Sequence, residues 1–171
     1  MHEFHSLFSD GVSMELPGKS AWKTKQPGLQ WQPFPKTPAP DTIDRKRKLE
    51  AKTLARRISA NATDPSRSRS ELRLIPTPIY EYSAVEANVE YGVMFSFCQG
   101  TDTELIVLLE ARKKEDKREW HYAYATFTDY QLSVAIDSET PWHSPDGFNG
   151  ENGKPHYWGQ VDSRPRLEIE R

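Results

Sequence analysis

Three histidines in the second half of the chain carry the side chains best suited to acid–base or metal chemistry. His121, His143 and His156 lie among carboxylates such as Asp137 and Asp146. An imidazole titrates near neutral pH and can also ligate a metal ion. No two of these histidines have the close spacing of a helical HExxH motif, so the sequence predicts no metal site. A small enzyme with a histidine-containing site stays open, as does a purely structural role for His121.

Nucleophilic and cofactor chemistry have weaker signals. Cys98 is the only cysteine, and it lies in the apolar run "EYGVMFSFCQ", where a thiol is more often an inert core residue than a nucleophile. A single cysteine forms no internal disulfide and no cysteine-based zinc site, which fits a reducing compartment. The chain contains no GxSxG elbow and no glycine-rich phosphate loop, so we expect no cofactor.

Aromatic rings near the C-terminus form a candidate ligand site. The rings and the histidine beside them are interleaved with asparagine, glutamine and aspartate side chains. Flat rings beside amides and carboxylates can stack on and hydrogen-bond a sugar, a base or a peptide proline. The predicted ligand-binding residues are Trp142, His143, Phe148, Tyr157 and Trp158. The alternative is that these rings cover the open end of a sheet.

A basic segment, "DTIDRKRKLEAKTLARRISA" at 41–60, predicts a helix. Asp41 or Thr42 can serve as its N-cap, and good helix formers follow without glycine or proline. Its apolar residues recur at helical spacing and give one narrow stripe, Ala51, Leu54, Ala55 and Ile58. The candidate contacts to an anionic partner are its cations, Arg45, Lys46, Arg47, Lys48, Lys52, Arg56 and Arg57. A solvated helix, a nucleic-acid helix and a helix that pairs with a protein partner are the alternatives.

Five apolar or alternating runs downstream predict the strands that would position these residues. "LRLIPTPIYEYS" contains two prolines and reads as an edge strand. "EYGVMFSFCQ", "ELIVLLEAR", "WHYAYATF" and "YQLSVAID" follow with short connections, which favours an antiparallel meander. We therefore predict an α+β fold, in which one basic amphipathic helix packs on an antiparallel β-meander sheet. The small residues that face away from the rings of "WHYAYATF" suggest where the helix approaches.

The same patterns divide the chain into four parts. Residues 1–40 contain a dense run of prolines with scattered rings and predict a flexible Pro-rich extended arm, or an arm that docks on a partner or on its own domain. Residues 41–60 are the basic helix, and "NATDPSRSRSE" at 61–71 has the composition of a linker. Residues 72–171 form the β-rich domain.

Charge is distributed unevenly along a chain of net charge −2. Residues 1–70 carry 13 Lys and Arg against 7 Asp and Glu, and residues 71–171 carry 10 against 18. The two halves can attract each other, or the basic half can seek an anionic partner. The longest near-apolar run, "ELIVLLEA", is far short of a membrane helix, and the N-terminus lacks the pattern of a secretory signal. We expect a cytoplasmic protein that does not bind membranes.

The segments "LRLIPTPIYEYS", "YGVMFSFCQGTDTELIVLLEAR" and "WHYAYATFT" together resemble a group of uncharacterised bacterial proteins of the planctomycete type. The shared pattern is a leucine–proline–tyrosine entry, an FxF…GTD turn, a strand similar to LLEAR and a tryptophan-led strand. It covers residues 72–128, about a third of the chain. The resemblance implies a family of unknown function and brings no activity, cofactor or catalytic residue.

The leading functional hypothesis is a non-enzymatic binding or assembly module with a protein partner of unknown identity. Its basic, proline-containing front half would contact that partner. The two alternatives are the small enzyme with a histidine-containing site and a nucleic-acid-associated protein that uses the basic helix. Nucleic acid is possible but not favoured, because the overall charge of −2 gives no general attraction to phosphates.

Overall fold

The computed structural model describes residues 2–5, 13–14, 22–23, 29–128, 130–144 and 157–160. Side chains are described for residues 29–128, 130–139 and 141–144. The chain divides into two compact units, one formed by Met1–Leu29 with Phe148–Arg171 and the other by Gln30–Gly147.

The described residues form one α-helix, α1, at Asp44–Ala55 and one 3-10 turn at Val85–Ala87. The strands are β1 (His2–His5), β2 (Ser13–Met14), β3 (Trp22–Lys23), β4 (Gln32–Pro33), β5 (Ile58–Thr63), β6 (Arg69–Leu74), β7 (Tyr80–Ala84), β8 (Val89–Gln99), β9 (Asp102–Lys114), β10 (Lys117–Thr126), β11 (Gln131–Ile136), β12 (Glu139–His143) and β13 (Tyr157–Gln160). Within the part of the chain described, no helix has the length and apolar character needed to cross a membrane.

The unit built from both ends of the chain contains two antiparallel strand pairs. β1 pairs with β13, with His2 opposite Gln160, and β2 pairs with β3. β13 lies within the segment "PHYWGQV", and its partner is β1.

The unit Gln30–Gly147 contains a nine-stranded, curled antiparallel sheet, which confirms the predicted α+β class. The strand order is β12-β11-β5-β6-β8-β9-β10-β4. β7 lies off this path and also pairs with β8, at residues 89–94, whereas β6 pairs with Phe97 and Cys98. β8, β9 and β10 form the predicted meander. The meander ends there, because β11 crosses to pair with β5 instead of β10.

The segment after α1 differs from its prediction. The helix ends at Ala55 and not at residue 60, and residues 58–74, most of which were expected to form a linker, form the β5–β6 hairpin. The Asp64 carboxylate makes the turn by accepting the Ser68 N–H at 2.9 Å and the Ser66 hydroxyl at 2.6 Å, and Arg67 adopts a positive φ of 67°. Polar composition there marks a tight turn between two strands.

The start of α1 also differs from its prediction, which had Asp41 or Thr42 as the N-cap. The N-cap position is Ile43, and the Asp41 carboxylate accepts the Ile43 N–H at 2.8 Å one step before the helix begins. Ala51, Leu54 and Ala55 are buried, as the apolar stripe predicts. They belong to one core cluster with inward-facing residues of β8 and β9, such as Val93 and Val107.

The face of the sheet that lies toward the helix is the bulky one. Tyr91 and Phe95 of β8 and Trp120 of β10 are buried in the same cluster as α1. The helix was expected on the small-residue face of β10, and that expectation is wrong. Large side chains fill the wide space inside a curled sheet, and the short side chains of Ala51 and Ala55 let the helix backbone lie over them.

The last part of the predicted arm is docked on this sheet. β4 pairs with β10, placing Pro33 opposite His121, and Phe34 is buried with its N–H donating to the Trp120 carbonyl at 2.7 Å. The segment 30–40 therefore follows the alternative in which the arm docks on its own domain. Lys36, which follows β4, forms an ion pair with Glu139 of β12. This contact shows that the curl of the sheet brings the two ends of the strand order together.

Candidate functional site

Four of the seven cations predicted to meet an anionic partner are neutralised by carboxylates of the same unit. Each lies within ion-pair distance of at least one acidic side chain. The shortest pairs are Lys46–Asp41 at 3.3 Å, Arg47–Glu90 at 3.3 Å, Lys48–Glu81 at 2.6 Å and Arg57–Asp137 at 2.6 Å. Three of these carboxylates lie outside the helical segment, on β7, on β8 and after β11. Three of the cations, Arg47, Lys48 and Arg57, therefore connect the helical segment to the sheet, while Lys46 pairs locally with Asp41.

Arg57 has the densest set of contacts. Its guanidinium donates to both oxygens of Asp137 and to the carbonyls of Pro35 and Lys36. It also lies 4.9 Å from the centre of the Phe34 ring. The Asp137 carboxylate raises the pKa of Arg57, and the guanidinium lowers the pKa of Asp137. One side chain thus joins the end of α1, the turn after β11 and the segment after β4.

Arg47 is the most buried cation of the helix, with a side chain 11% exposed. Its Nη1 donates to Glu90 at 3.3 Å, and Glu90 also accepts two hydrogen bonds from Arg118. The pKa of Glu90 is lowered chiefly by Arg118. The Nε of Arg47 is buried and has no hydrogen-bond partner within the described residues. This pairing is therefore looser than that of Arg57.

The remaining three cations make up the cationic stripe, defined as Arg45, Lys52 and Arg56. At 3.6 residues per turn, offsets of 7 and 11 residues place them within about 40° on one side of the helix. Arg45 and Arg56 are exposed, Lys52 is half-exposed, and none has an ion pair among the described residues. Leu49, which is 63% exposed, lies between them on the same side. The stripe faces away from the core.

An opening in the sheet lies beside the C-terminal end of this stripe. The ladder between β5 and β6 ends at the pair Ala60–Leu72. The next residues of β6, Arg73 and Leu74, pair with Cys98 and Phe97 of β8 instead. Because β6 changes partner, the strands diverge where β5 begins.

The divergence creates a groove of about 620 Å³, called here the seam groove. Its apolar lining consists of Ile58, Leu72, Leu74 and Phe97. Its polar lining consists of Arg56, Ser59, Glu71 and Arg73. Core residues such as Leu72 and exposed residues such as Arg73 both line the groove. Its apolar lining therefore lies next to two arginines, Arg56 and Arg73.

The predicted aromatic ligand site is only partly within the described residues. Trp142 is half-buried and packs on Tyr124 with ring centroids 5.1 Å apart, at the end of a row that continues through Tyr122 to Phe34. His143 is exposed and points to the opposite face of β12. The Phe148 position and the side chains of Tyr157 and Trp158 lie outside the described residues. The five-residue site stays a prediction.

A polar row on the outer face of the sheet was missed by sequence reasoning. Strand pairing aligns Tyr82, Gly92, Glu110 and His121 across β7, β8, β9 and β10. The Tyr82 ring lies over Gly92, where a Cβ would come within 2.3 Å of the ring, and its hydroxyl donates to Glu110 Oε1 at 2.6 Å. Only a glycine allows this close approach. The signal was present in the sequence as a lone glycine inside a strand.

Charges in this row are largely satisfied. Arg112 Nε donates to Glu110 Oε2 at 2.6 Å, and the guanidinium lies 4.3 Å from the Trp31 ring centre. Burial, followed by the charge of Arg112, lowers the pKa of His121. The Nδ1 of His121 is buried and has no hydrogen-bond partner in the part of the chain described, and its Nε2 lies 3.6 Å from a Glu119 oxygen.

The polar row places two titratable residues, Glu110 and His121, opposite each other on β9 and β10. Both oxygens of Glu110 are already accepting hydrogen bonds, so a proton-transfer role would require Tyr82 or Arg112 to move first. His121 and His143 lie on different strands, and His156 is outside the described residues. No group of three or more metal-ligating side chains occurs among the residues the structure describes. The histidine-containing site stays a prediction.

Comparison of the chain with protein-family models, with curated proteins and with solved structures finds no match. The resemblance of residues 72–128 to planctomycete-type proteins therefore stays a prediction.

Proposed function

We propose that this chain is a non-enzymatic binding module that docks an acidic segment of a partner protein on the cationic stripe. The observation that carries the proposal is the contrast along the helical segment. Four of its cations form internal ion pairs, while Arg45, Lys52 and Arg56 lie on one side without an ion pair to any described residue. A cation without an internal partner can interact with an external anion at no cost in broken ion pairs.

The platform beneath the stripe is rigid. Ala51, Leu54 and Ala55 are buried against the sheet, and Lys48 and Arg57 tie the helix to β7 and to the turn after β11. A preorganised helix loses little conformational entropy when a partner docks. The stripe spans about 16 Å from residue 45 to residue 56, which is the reach of about five extended residues.

A protein partner fits this surface better than a nucleic acid. Leu49 lies in the middle of the stripe and offers an apolar contact that a phosphate backbone does not use. Tyr80 is the only large exposed ring among the described residues, and it lies on β7, so the stripe lacks a stacking surface for bases. The sequence pI of about 6.2 is also unlike that of nucleic-acid-binding domains.

The compartment expected from the sequence is compatible with this proposal. The single thiol, Cys98, is buried and forms hydrogen-bonding contacts with the Ser96 and Thr103 hydroxyls. A free thiol stays reduced in the cytoplasm, and we propose that the protein is located there.

The test is binding of a fluorescein-labelled acidic peptide of about ten residues, rich in glutamate and containing leucine, followed by anisotropy. The double variant Arg45→Glu, Lys52→Glu reverses two stripe charges and leaves Arg56 in place. We expect about tenfold weaker binding, because two charge pairs worth roughly 0.7 kcal/mol each are lost. The matched control is Arg67→Glu, Arg69→Glu, which reverses two exposed cations of the β5–β6 hairpin and should change binding by less than about twofold.

Two outcomes would contradict the proposal. One is equal loss in both double variants, which would show that net charge and not the stripe drives binding. The other is tighter binding of a single-stranded oligonucleotide of equal charge, lost in the stripe variant, which would favour the nucleic-acid alternative.

A further inference from the structure

We propose that the seam groove binds a small amphiphilic carboxylate, a molecule with an apolar body and a single carboxylate at one end. This ligand differs from the protein segment proposed for the stripe, and the site needs neither Arg45 nor Lys52. The two proposals share only Arg56.

The body of such a ligand has a place to lie. The floor of the groove where β6 leaves β5 is formed by Ile58, Leu72 and Phe97, each no more than 5% exposed, and the half-buried Leu74 beside them adds accessible apolar surface. Apolar contact with these side chains removes ligand surface from water, at roughly 25 cal/mol per Å². The groove volume of about 620 Å³ lies within the range of about 300–1,000 Å³ typical of sites for small molecules.

The head of the ligand would meet two arginines. The Arg73 guanidinium has only a long hydrogen bond, 3.4 Å to the Gly100 carbonyl, and Arg56 has no side-chain partner among the described residues. Neither charge is neutralised by a carboxylate of the described chain. The planar fork of arginine matches a carboxylate with two parallel hydrogen bonds.

Glu71 restricts the charge of the ligand. Its carboxylate lines the same groove and forms no ion pair with either arginine in the described structure. The groove therefore carries a net charge of about +1, which suits one carboxylate and opposes a dianion or a polyphosphate.

A small molecule fits the opening better than a peptide strand. The ladder is interrupted over only two residues on each side, Ile58 and Ser59 facing Arg73 and Leu74. An added strand needs backbone partners over several residues to be held in register. An apolar chain or ring makes no such demand.

The test uses 8-anilinonaphthalene-1-sulfonate, an aromatic probe with one anionic group, with displacement by decanoate. We expect probe fluorescence in the full chain, displacement by decanoate, and about tenfold weaker displacement by decanol, which has the same body without the charge. Arg73→Ala should weaken decanoate binding about tenfold, and Glu71→Gln should strengthen it a few fold. The matched control, Arg69→Ala, removes an exposed arginine outside the groove lining and should leave decanoate binding unchanged.

Near-UV circular dichroism on each variant confirms that the probe reports a folded protein. Equal displacement by decanol and decanoate, equal effects of Arg73→Ala and Arg69→Ala, or unchanged decanoate binding in Glu71→Gln would each overturn the proposal. Displacement of the probe by the acidic peptide, with loss in Arg73→Ala, would assign the groove to the protein partner and would also overturn it. None of these outcomes depends on whether the stripe binds its peptide.

Discussion

The two sides of α1 carry the same residue types and meet opposite surroundings. On the side toward the sheet, Arg47 and Lys48 reach Glu90 and Glu81 of neighbouring strands. On the far side, Arg45 and Lys52 face no carboxylate within the described chain. The difference shows that a cation's availability depends on which distant acid the fold brings to it. A basic helix can therefore carry both cations that form ion pairs with the sheet and cations that stay available to a partner.

The same comparison explains the uneven charge along the chain. One alternative drawn from sequence was that the basic front and the acidic back attract each other, and the pairs Arg57–Asp137, Arg47–Glu90 and Lys36–Glu139 follow it. The other alternative, an external anionic partner, stays a prediction that now rests on three cations instead of seven.

The largest difference in stability is expected at the end of the helix. Arg57 forms an ion pair there, and Arg56 forms none among the described residues. We expect Arg57→Ala to lower the free energy of unfolding by about 2–3 kcal/mol, because it removes charge-assisted hydrogen bonds to Asp137, two bonds to backbone carbonyls and the contact with Phe34. Urea denaturation followed by tryptophan fluorescence measures this change.

The adjacent position supplies the control for this variant. Arg56→Ala makes the same substitution one residue earlier, at an exposed side chain, and should change the free energy of unfolding by less than about 0.5 kcal/mol. Similar losses in the two variants would mean that helix propensity, and not the contacts of Arg57, determines the effect.

A smaller effect is expected for Arg47. Arg47→Met keeps the aliphatic packing, and Glu90 keeps both hydrogen bonds from Arg118. The ion pair is lost, but so is the cost of burying an unpartnered Nε, so we expect a loss of about 1 kcal/mol. Arg45→Met is the control on the stripe, with no measurable change expected. A loss for Arg47→Met as large as that for Arg57→Ala would contradict the looser pairing.

His121 extends the comparison to a partly buried base, whose Nδ1 has no hydrogen-bond partner among the described residues. Its pKa in the folded protein is below the ordinary value of 6.5, so the unfolded chain binds more protons than the folded one as pH falls below 6.5. The contribution of neutral His121 to stability is therefore complete above pH 6.5 and declines below it. Arg112 opposes protonation, while Glu119 and Glu110 favour it.

The measurement is thermal unfolding of the wild type and of His121→Gln from about pH 7.5 to pH 5. We expect the wild type to lose more stability than the variant across this range. The lowered pKa of Glu90 acts in a separate window, since its contribution declines only as pH falls below 4.5. Parallel pH profiles in the two proteins would remove His121 as the source.

The sequence predicts the middle of the sheet well, because its signals are local. Tyr91, Val93, Phe95 and Phe97 recur at every second position of β8, and all four belong to the core cluster that includes the helix. The pairing of β11 with β5 joins residues about 70 positions apart, and no local pattern encodes it. The β5–β6 turn depends on the Asp64 carboxylate accepting the Ser68 N–H, while the composition alone resembles a linker.

The candidate site was predictable only in its residue types. Helical spacing places Arg45, Lys52 and Arg56 on one side, but the acids that remove Lys48 and Arg57 from the set come from β7 and the turn after β11. The seam groove depends on β6 changing partner between Leu72 and Arg73, and nothing in "ELRL" marks that change. Both properties arise from tertiary pairing.

The smallest expected effect is on the stripe itself, and it decides whether the two sides of the helix differ in role. Arg45→Ala with Lys52→Ala should leave the free energy of unfolding within about 0.5 kcal/mol of wild type, because alanine is the better helix former and no described ion pair is lost. Urea denaturation at low and moderate salt measures this, with Arg57→Ala as the sensitive reference. A clear loss that disappears with added salt would show that the stripe stabilises the fold through long-range charge. In that event Arg45 and Lys52 would stabilise the fold, as Lys48 and Arg57 do, and the reason to expect an acidic partner at this surface would be gone.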